Sequence, residues 1–354
     1  MRLSIAVPAG LTVLLAMLLV VGNSAAWIPV VFDLASLGLA TYATVCTVLA
    51  ARSAHGRLRT AWMTMTAAMT AWAIGDLIWL VSENVLHISP FPSAADFFYL
   101  LFPVLAAVAL ALFSVQRHQS PLRIVLDGIT VALCLFLLAW IFSLHEVYET
   151  YRDDRVALAL ALVYPAADVL AVSVAISVLV RADVRQRVVL YLLGLAFGLV
   201  LISDSAFAYL VAEDRYVSGS YIDLGWLAAL VLIVAATVRS RTARLPTRSI
   251  APSVPSNSSL WLPYVPLLLA GTVGPVMVMS GLERIIVPFV VATVCVRQSV
   301  TAWENRRLLR AAAEQALTDP LTGLANRALF TDRLAHAMML RLRESRSVAV
   351  VSLD

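Results

Sequence analysis

Apolar residues fill the first 300 positions in blocks, each close to the roughly 20 residues a helix needs to cross a bilayer core. Ten blocks stand out, at roughly 4–22, 29–51, 60–82, 94–115, 123–144, 156–180, 188–211, 221–239, 260–280 and 283–303. They predict an all-α polytopic membrane protein of about ten transmembrane helices. After Pro320 the pattern changes. From Asn326 to Arg343 the residues Leu329, Phe330, Leu334, Ala337, Met338 and Leu342 gather on one helical face, and Glu344 to Ser347 form a polar turn. Val348 to Leu353 is then a continuous apolar run, the pattern of a strand buried on both sides. One helix and one strand cannot bury a core, so this segment reads as the start of a larger soluble domain.

Composition agrees with the blocks. Hydrophobic residues make up 61% of 354, and the mean hydropathy is +0.88, outside the range of soluble domains. The net charge of +4 rests on 26 basic residues, all of them Arg. These fall in short loops between blocks, so they report topology and not nucleic-acid binding. Arg52, Arg57 and Arg59, then Arg117 and Arg123, then Arg181, Arg185 and Arg187, then Arg239, Arg241, Arg244 and Arg248 mark one side. The opposite loops carry Glu83, then Glu146, Glu149, Asp153 and Asp154, then Glu213 and Asp214, with only Arg152, Arg155, Arg215 and Arg284 among them. The positive-inside rule places both termini in the cytoplasm and the chain in the cell membrane. Ser24-Ala25-Ala26 imitates a leader cleavage site, but removing the first block would break this alternation, so an uncleaved first span is expected. Cys46, Cys134 and Cys295 lie inside apolar blocks, far from metal or redox spacing, and read as packing residues.

An internal repeat runs through the first eight blocks, about 1–116 and 121–240. Gly75-Asp76 followed by Trp79 in the third block parallels Ser203-Asp204 followed by Phe207 in the seventh. Asp96 follows in the first half and Asp223 in the second, while Asp33 and Asp168 occupy the preceding block of each half. With four spans per unit, the copies point the same way. An ionisable residue within a span is by default a candidate functional site. Ser93-x-x-Asp96 and Ser220-x-x-Asp223 also fit a helix-start capping pattern. Asp76, Asp168 and Asp204 have no such local role and point to a shared outward cavity for a cation, a proton or a basic ligand. Trp72, Trp79, Tyr99, Tyr164, Phe207 and Trp226 are placed to wall it or to form an interfacial belt. His87 and His145 fall in outer loops.

Residues 241–259 are polar and Pro-containing, a cytoplasmic linker before a two-span hairpin at 260–303. A signalling helix at 304–318 follows. Ala302, Leu309, Ala313 and Ala316 give it a weak heptad seam, interrupted by Arg306. Asp319-Pro320-Leu321-Thr322-Gly323-Leu324-Ala325-Asn326-Arg327 closes the run.

That nonapeptide resembles the DxLTGLxNR signature that opens GGDEF domains, the diguanylate cyclases that make cyclic di-GMP from two GTP. Asp319, Leu321, Thr322, Gly323, Leu324, Asn326 and Arg327 stand at the family's positions, and the following helix and apolar strand continue the likeness. The resemblance covers 319–354. It implies the first helix and strand of an α/β, nucleotidyl-cyclase-like domain, with Asp354 at the family's first Mg²⁺-binding Asp. It further implies GTP as substrate of a full-length parent and homodimerisation through the stalk, since each of two catalytic domains holds one GTP. The family's guanine-reading residues and GGDEF loop lie beyond the sequence, so this chain alone is expected to be inactive. A degenerate, non-catalytic member, with or without a downstream EAL domain, and an ion-coupled transporter are the alternatives.

Overall fold

A computed structural model describes residues 2–22, 27–88, 93–113, 121–151, 153, 155–182, 184–242, 264–279, 283–315, 322, 324, 326, 330–331, 333–334, 337–338 and 349–351. All regular structure among them is helical. The helices are α1 (Arg2–Gly22), α2 (Ile28–Ser53), α3 (Gly56–Asn84), α4 (Ala94–Phe113), α5 (Pro121–Ala139), α6 (His145–Tyr151), α7 (Arg155–Arg181), α8 (Val184–Ala212), α9 (Asp223–Thr242), α10 (Tyr264–Val278) and α11 (Glu283–Gln315). Among the described residues, eight stretches are long and apolar enough to cross a membrane, and shorter apolar helices cover Ile5–Leu19 and Tyr264–Val278. The chain therefore has the character of a multi-pass membrane protein.

Two compact units divide it. The first comprises Met1–Ala243 with Trp261–Thr293, the second Arg244–Leu260 with Val294–Asp354. In the first unit six helices close a ring: α2 packs on α3, α3 on α4, α4 on α7, α7 on α8, α8 on α9, and α9 back on α2. Three of the ring helices come from residues 1–116 and three from 121–240. Helix α1 packs on α9, and α5 packs on α7 and α10.

Small residues let these backbones approach. Ala43, Ala68, Ala106, Ala175, Ala196 and Ala229, one from each ring helix, are fully buried. Lipid tails are as apolar as leucine, so close packing of small residues drives helix association within a bilayer. Leu34, Met63, Phe97, Leu170, Tyr191 and Ile202 instead face outward, an exterior suited to lipid. One end of the ring is plugged by Trp62. Its ring meets Phe113 edge-on at 5.1 Å, and its Nε1 donates to Ser240 Oγ at 3.1 Å.

Two local expectations change. The fifth block does not end at residue 144, and His145 is not in a loop. A π-helical turn at Trp140–Leu144, closed by the His145 N–H donating to Trp140 O, joins α5 to α6, so helix continues to Tyr151. The i→i+5 turn absorbs one extra residue without breaking the backbone ladder. The last apolar block carries on into the polar stalk as one helix, α11, the continuation read from the sequence. The strand expected at 348–353 is not formed at Ala349–Val351, which have no regular structure. A lone strand has no neighbour to accept its backbone hydrogen bonds. In the second unit Phe330, Thr331, Arg333, Leu334, Ala337 and Met338 are helical, with the Phe330 N–H donating to Asn326 O at 3.0 Å. Leu324, Phe330, Met338, Val350 and Val351 are exposed. Of the linker expected at 241–259, Arg241 and Thr242 are the last residues of α9, and 243–259 lie outside the described residues.

Candidate functional site

Opposite the Trp62 plug, where α3 and α8 end and α2, α4, α7 and α9 begin, the ring encloses a cavity of about 110 Å³. Every ring helix lines it: Phe32, Asp33 and Ser36 from α2, Trp72, Asp76 and Trp79 from α3, Asp96, Tyr99 and Phe102 from α4, Tyr164 from α7, Val200, Asp204 and Phe207 from α8, and Asp223, Trp226 and Leu227 from α9. Tyr216, from the loop before α9, completes the wall.

Sequence spacing explains the convergence. Asp76 and Trp79 are three apart, as are Asp96 and Tyr99, Asp204 and Phe207, and Asp223 and Trp226, so each pair shares one helix face. The two halves then build the same bond. Tyr99 Oη donates to Asp76 Oδ1 at 2.9 Å, and Trp226 Nε1 donates to Asp204 Oδ1 at 2.5 Å. Gly75 makes the first approach possible, because a Cβ there would lie 2.7 Å from the Tyr99 ring. Gly225 plays the matching part beside Ser203, whose hydroxyl donates to Ile222 O at 3.1 Å.

Asp96 and Asp223 begin their helices and cap them. Asp96 Oδ2 accepts the Ser93 N–H at 2.5 Å while Ser93 Oγ accepts the Ala95 N–H at 3.2 Å. Asp223 Oδ2 accepts the Gly219 and Ser220 N–H groups at 2.6 and 3.0 Å. These satisfy helix-start donors that have no partner within the helix. The other oxygen of each faces a phenol: Tyr164 Oη donates to Asp96 Oδ1 at 2.5 Å, and Tyr216 Oη to Asp223 Oδ1 at 3.2 Å. Burial, with the Asp223 carboxylate adding to it, pushes the Tyr216 hydroxyl well above its usual pKa, so it stays a donor. Capping and cavity lining are therefore the same residues here.

The two halves differ at the next partner. Ser36 Oγ donates to Asp76 Oδ2 at 2.9 Å, whereas Asp168, one of the most buried polar residues, is hydrogen-bonded to Asp204. Asp168 does not line the cavity; it stands behind Asp204, and its Oδ2 has no hydrogen-bond partner. Asp33 is not the counterpart of Asp168, since it accepts from Asn84 Nδ2 at 2.7 Å, one helical turn nearer the start of α2 than Ser36. Glu83 ties the mouth together, accepting from Trp79 Nε1 and Ser218 Oγ, both at 2.7 Å. All six candidate wall aromatics face this cavity.

Sequence reasoning did not single out Ser36, Asn84, Tyr216 or Ser218. Ser36 had a signal, lying three residues after Asp33 on the same face. Tyr216 and Ser218 had none, because a loop carries no periodicity. His87 and His145 are exposed and do not line the cavity. Among the described residues no group of three or more His, Cys, Asp or Glu is placed to hold a metal ion. Of the nonapeptide, Thr322, Leu324 and Asn326 are described, with Thr322 Oγ1 accepting the Leu324 N–H at 3.4 Å. Asp319, Leu321, Gly323, Arg327 and the candidate Mg²⁺ ligand Asp354 lie outside the described residues. No known protein family, curated protein or solved structure matches the chain.

Proposed function

We propose that this chain is the membrane input region of a diguanylate cyclase, with the six-helix ring as its sensor and α11 as its output. One observation carries the reading: Asp319 to Arg327, close to the GGDEF opening signature, begins four residues after α11 ends at Gln315. The cavity supports the sensory half. Carboxyl groups buried in a membrane bundle are costly and mark function by default. The exposed Leu324, Phe330, Val350 and Val351 suit a segment whose core is completed by further chain. In this proposal both termini are cytoplasmic, the cavity opens to the outside, and two copies meet through α11. The full-length parent joins two GTP into cyclic di-GMP with Mg²⁺, for which Asp354 would be one ligand; the metal would neutralise charge on the triphosphate.

The test is to read the open reading frame past codon 354 and assay its product. A frame that encodes a complete cyclase body and raises cellular cyclic di-GMP supports the reading. A frame that encodes anything else, or a complete domain without cyclase activity, sinks it. A carrier is the second reading, favoured by the closed ring with Asp204 lining its cavity and Asp168 behind it. It predicts cation flux in proteoliposomes that Asp168→Asn abolishes.

A further inference from the structure

We infer that the ring cavity is a receptor site for a small organic cation, a methylated ammonium group held by aromatic faces and buried carboxyl groups. This rests on the sensory reading above and names the ligand class of the same site.

The charge of the lining has one sign. Five aspartates, Asp33, Asp76, Asp96, Asp204 and Asp223, border the cavity, and no Arg or His does so among the described residues. A ligand that entered with negative charge would meet only repulsion. The carboxyl groups are also already oriented. Asp76 is held by Ser36 and Tyr99, Asp204 by Trp226, and Asp96 and Asp223 by backbone N–H groups and phenols. Their oxygens are held in place and need no rearrangement to receive a cation.

The aromatic groups decide what kind of cation. A bare metal ion needs several oxygens converging at bonding distance, and no such group is present among the described residues. Instead Trp79, Phe207 and Tyr216 form a corner of three rings. Trp79 and Phe207 are 5.9 Å apart at 67°, Trp79 and Tyr216 6.3 Å at 77°, and Phe207 and Tyr216 4.7 Å at 80°. Trp226 extends this corner, 5.8 Å from Phe207, and Tyr99 stands 6.4 Å from Trp79. These rings pack edge to face on one another and line the cavity together; a quaternary ammonium group is attracted to the ring surface left facing the cavity, and its methyl groups fill apolar space. The volume fits such a group: about 110 Å³ is of the order of the roughly 150 Å³ cavity that admits benzene.

The test uses the whole chain in nanodiscs of phosphatidylglycerol, a lipid without a choline headgroup. Tryptophan fluorescence and calorimetry are followed during titration with choline chloride, tetramethylammonium chloride, sodium chloride and 3,3-dimethylbutan-1-ol, the uncharged carbon isostere of choline. The expected result is saturable binding of both ammonium compounds, with the neutral isostere at least about ten-fold weaker and sodium without saturable effect. Trp79→Leu and Phe207→Leu keep apolar bulk and remove the ring; each is expected to weaken choline about ten-fold. Should a variant fail to fold, the comparison of choline with its isostere on the unaltered chain decides alone. Equal binding of the two, or no saturable response to either ammonium compound by folded protein, overturns the inference. Binding is read without any cyclase output. Choline binding by a chain whose parent makes no cyclic di-GMP would therefore leave the ligand standing and remove the cyclase.

Discussion

The indole N–H of Trp226 donates to the carboxyl group of Asp204 at 2.5 Å, tying the first turn of α9 to α8 beside the cavity. The bond costs little local order, since Trp226 is held three residues from the cap at Asp223, and it supplies a buried oxygen with a donor that lipid cannot replace. Trp226→Phe keeps a ring and removes only the donor. It is expected to destabilise the chain by about 1–3 kcal/mol, the range for leaving a buried polar group unsatisfied. Trp27→Phe, at an exposed position, is the control and is expected to be neutral. Thermal unfolding in detergent measures both, and equal melting temperatures for the two variants would show the bond to be unimportant.

The matching bond in the first half makes a steric prediction. Tyr99 reaches Asp76 only because position 75 has no side chain; a Cβ would lie 2.7 and 2.8 Å from two ring carbons. Asp76 anchors the far end of that ring, so it cannot swing away without losing the bond. Gly75→Ala is expected to cost about 1–3 kcal/mol from overpacking and to disturb the cavity. Gly38→Ala, on α2 with nothing within 4 Å of the new methyl group, is expected to be neutral or to stabilise by up to about 1 kcal/mol, because alanine favours helix over glycine. Paired melting curves decide this. A Gly75→Ala variant as stable as Gly38→Ala would mean that the Tyr99 ring is free to move.

Much of this site was legible in the chain because helical spacing is rigid. An Asp and an aromatic three residues apart must share a face, so Asp76 with Trp79, Asp204 with Phe207, and Asp223 with Trp226 could be grouped before any contact was known. Capping was equally local: Ser93 to Asp96 and Ser220 to Asp223 span one turn. What spacing does not encode is which helices are neighbours. The closure of α9 onto α2 brings Asp33 and Phe32 beside Asp223 in one cavity, and no periodicity within either helix announces it. Asp33 and Asp168 do occupy the helix preceding Asp76 and Asp204 in each half, but spacing did not tell which residue of α2 would meet Asp76. Repeat alignment counts residues, while the partner of Asp76 is set by depth along α2, where Ser36 lies one turn deeper. The π-helical turn at Trp140–Leu144 left no trace in a hydrophobicity pattern either, since it changes the backbone ladder and not the polarity.

Orientation follows from loop charge and can be measured with thiols. The three native cysteines are buried, so the unaltered chain is expected to resist a membrane-impermeant maleimide. His87 and Ser53 are exposed at opposite ends of α2 and α3. In intact cells His87→Cys is expected to react, and Ser53→Cys only after permeabilisation, if the loop carrying Arg52, Arg57 and Arg59 follows the positive-inside rule. The reverse pattern would place the cavity mouth on the cytoplasmic side and remove its access to external ligands.

The last prediction concerns how two copies meet. Helix α11 runs unbroken from Glu283 to Gln315, so it can offer a symmetric partner only one continuous face. Two faces compete. The stalk seam through Ala302, Leu309, Ala313 and Ala316 is interrupted by Arg306, and the side chains of these residues lie outside those described. A second seam descends through the span: Ile286, Phe289, Val296, Val300 and Trp303 follow alternating three- and four-residue steps once Thr293 is included, and all five apolar side chains are exposed. Positions 296 and 302 differ by about 120° around the helix, at 3.6 residues per turn, so one parallel pair cannot use both. Arginines interrupt both registers in the stalk, Arg306 in one and Arg307 and Arg310 in the other, but the span seam is apolar from Ile286 to Trp303 before it reaches them. Cysteines at Val296 and Trp303, in a Cys295→Ser background, are therefore expected to cross-link under mild oxidation, while cysteines at Ala302, Leu309 and the opposite-facing Val294 are not. Cross-linking at 302 and 309 alone would transfer the contact to the stalk seam, and no dimer at any position would remove α11 as a dimerisation element.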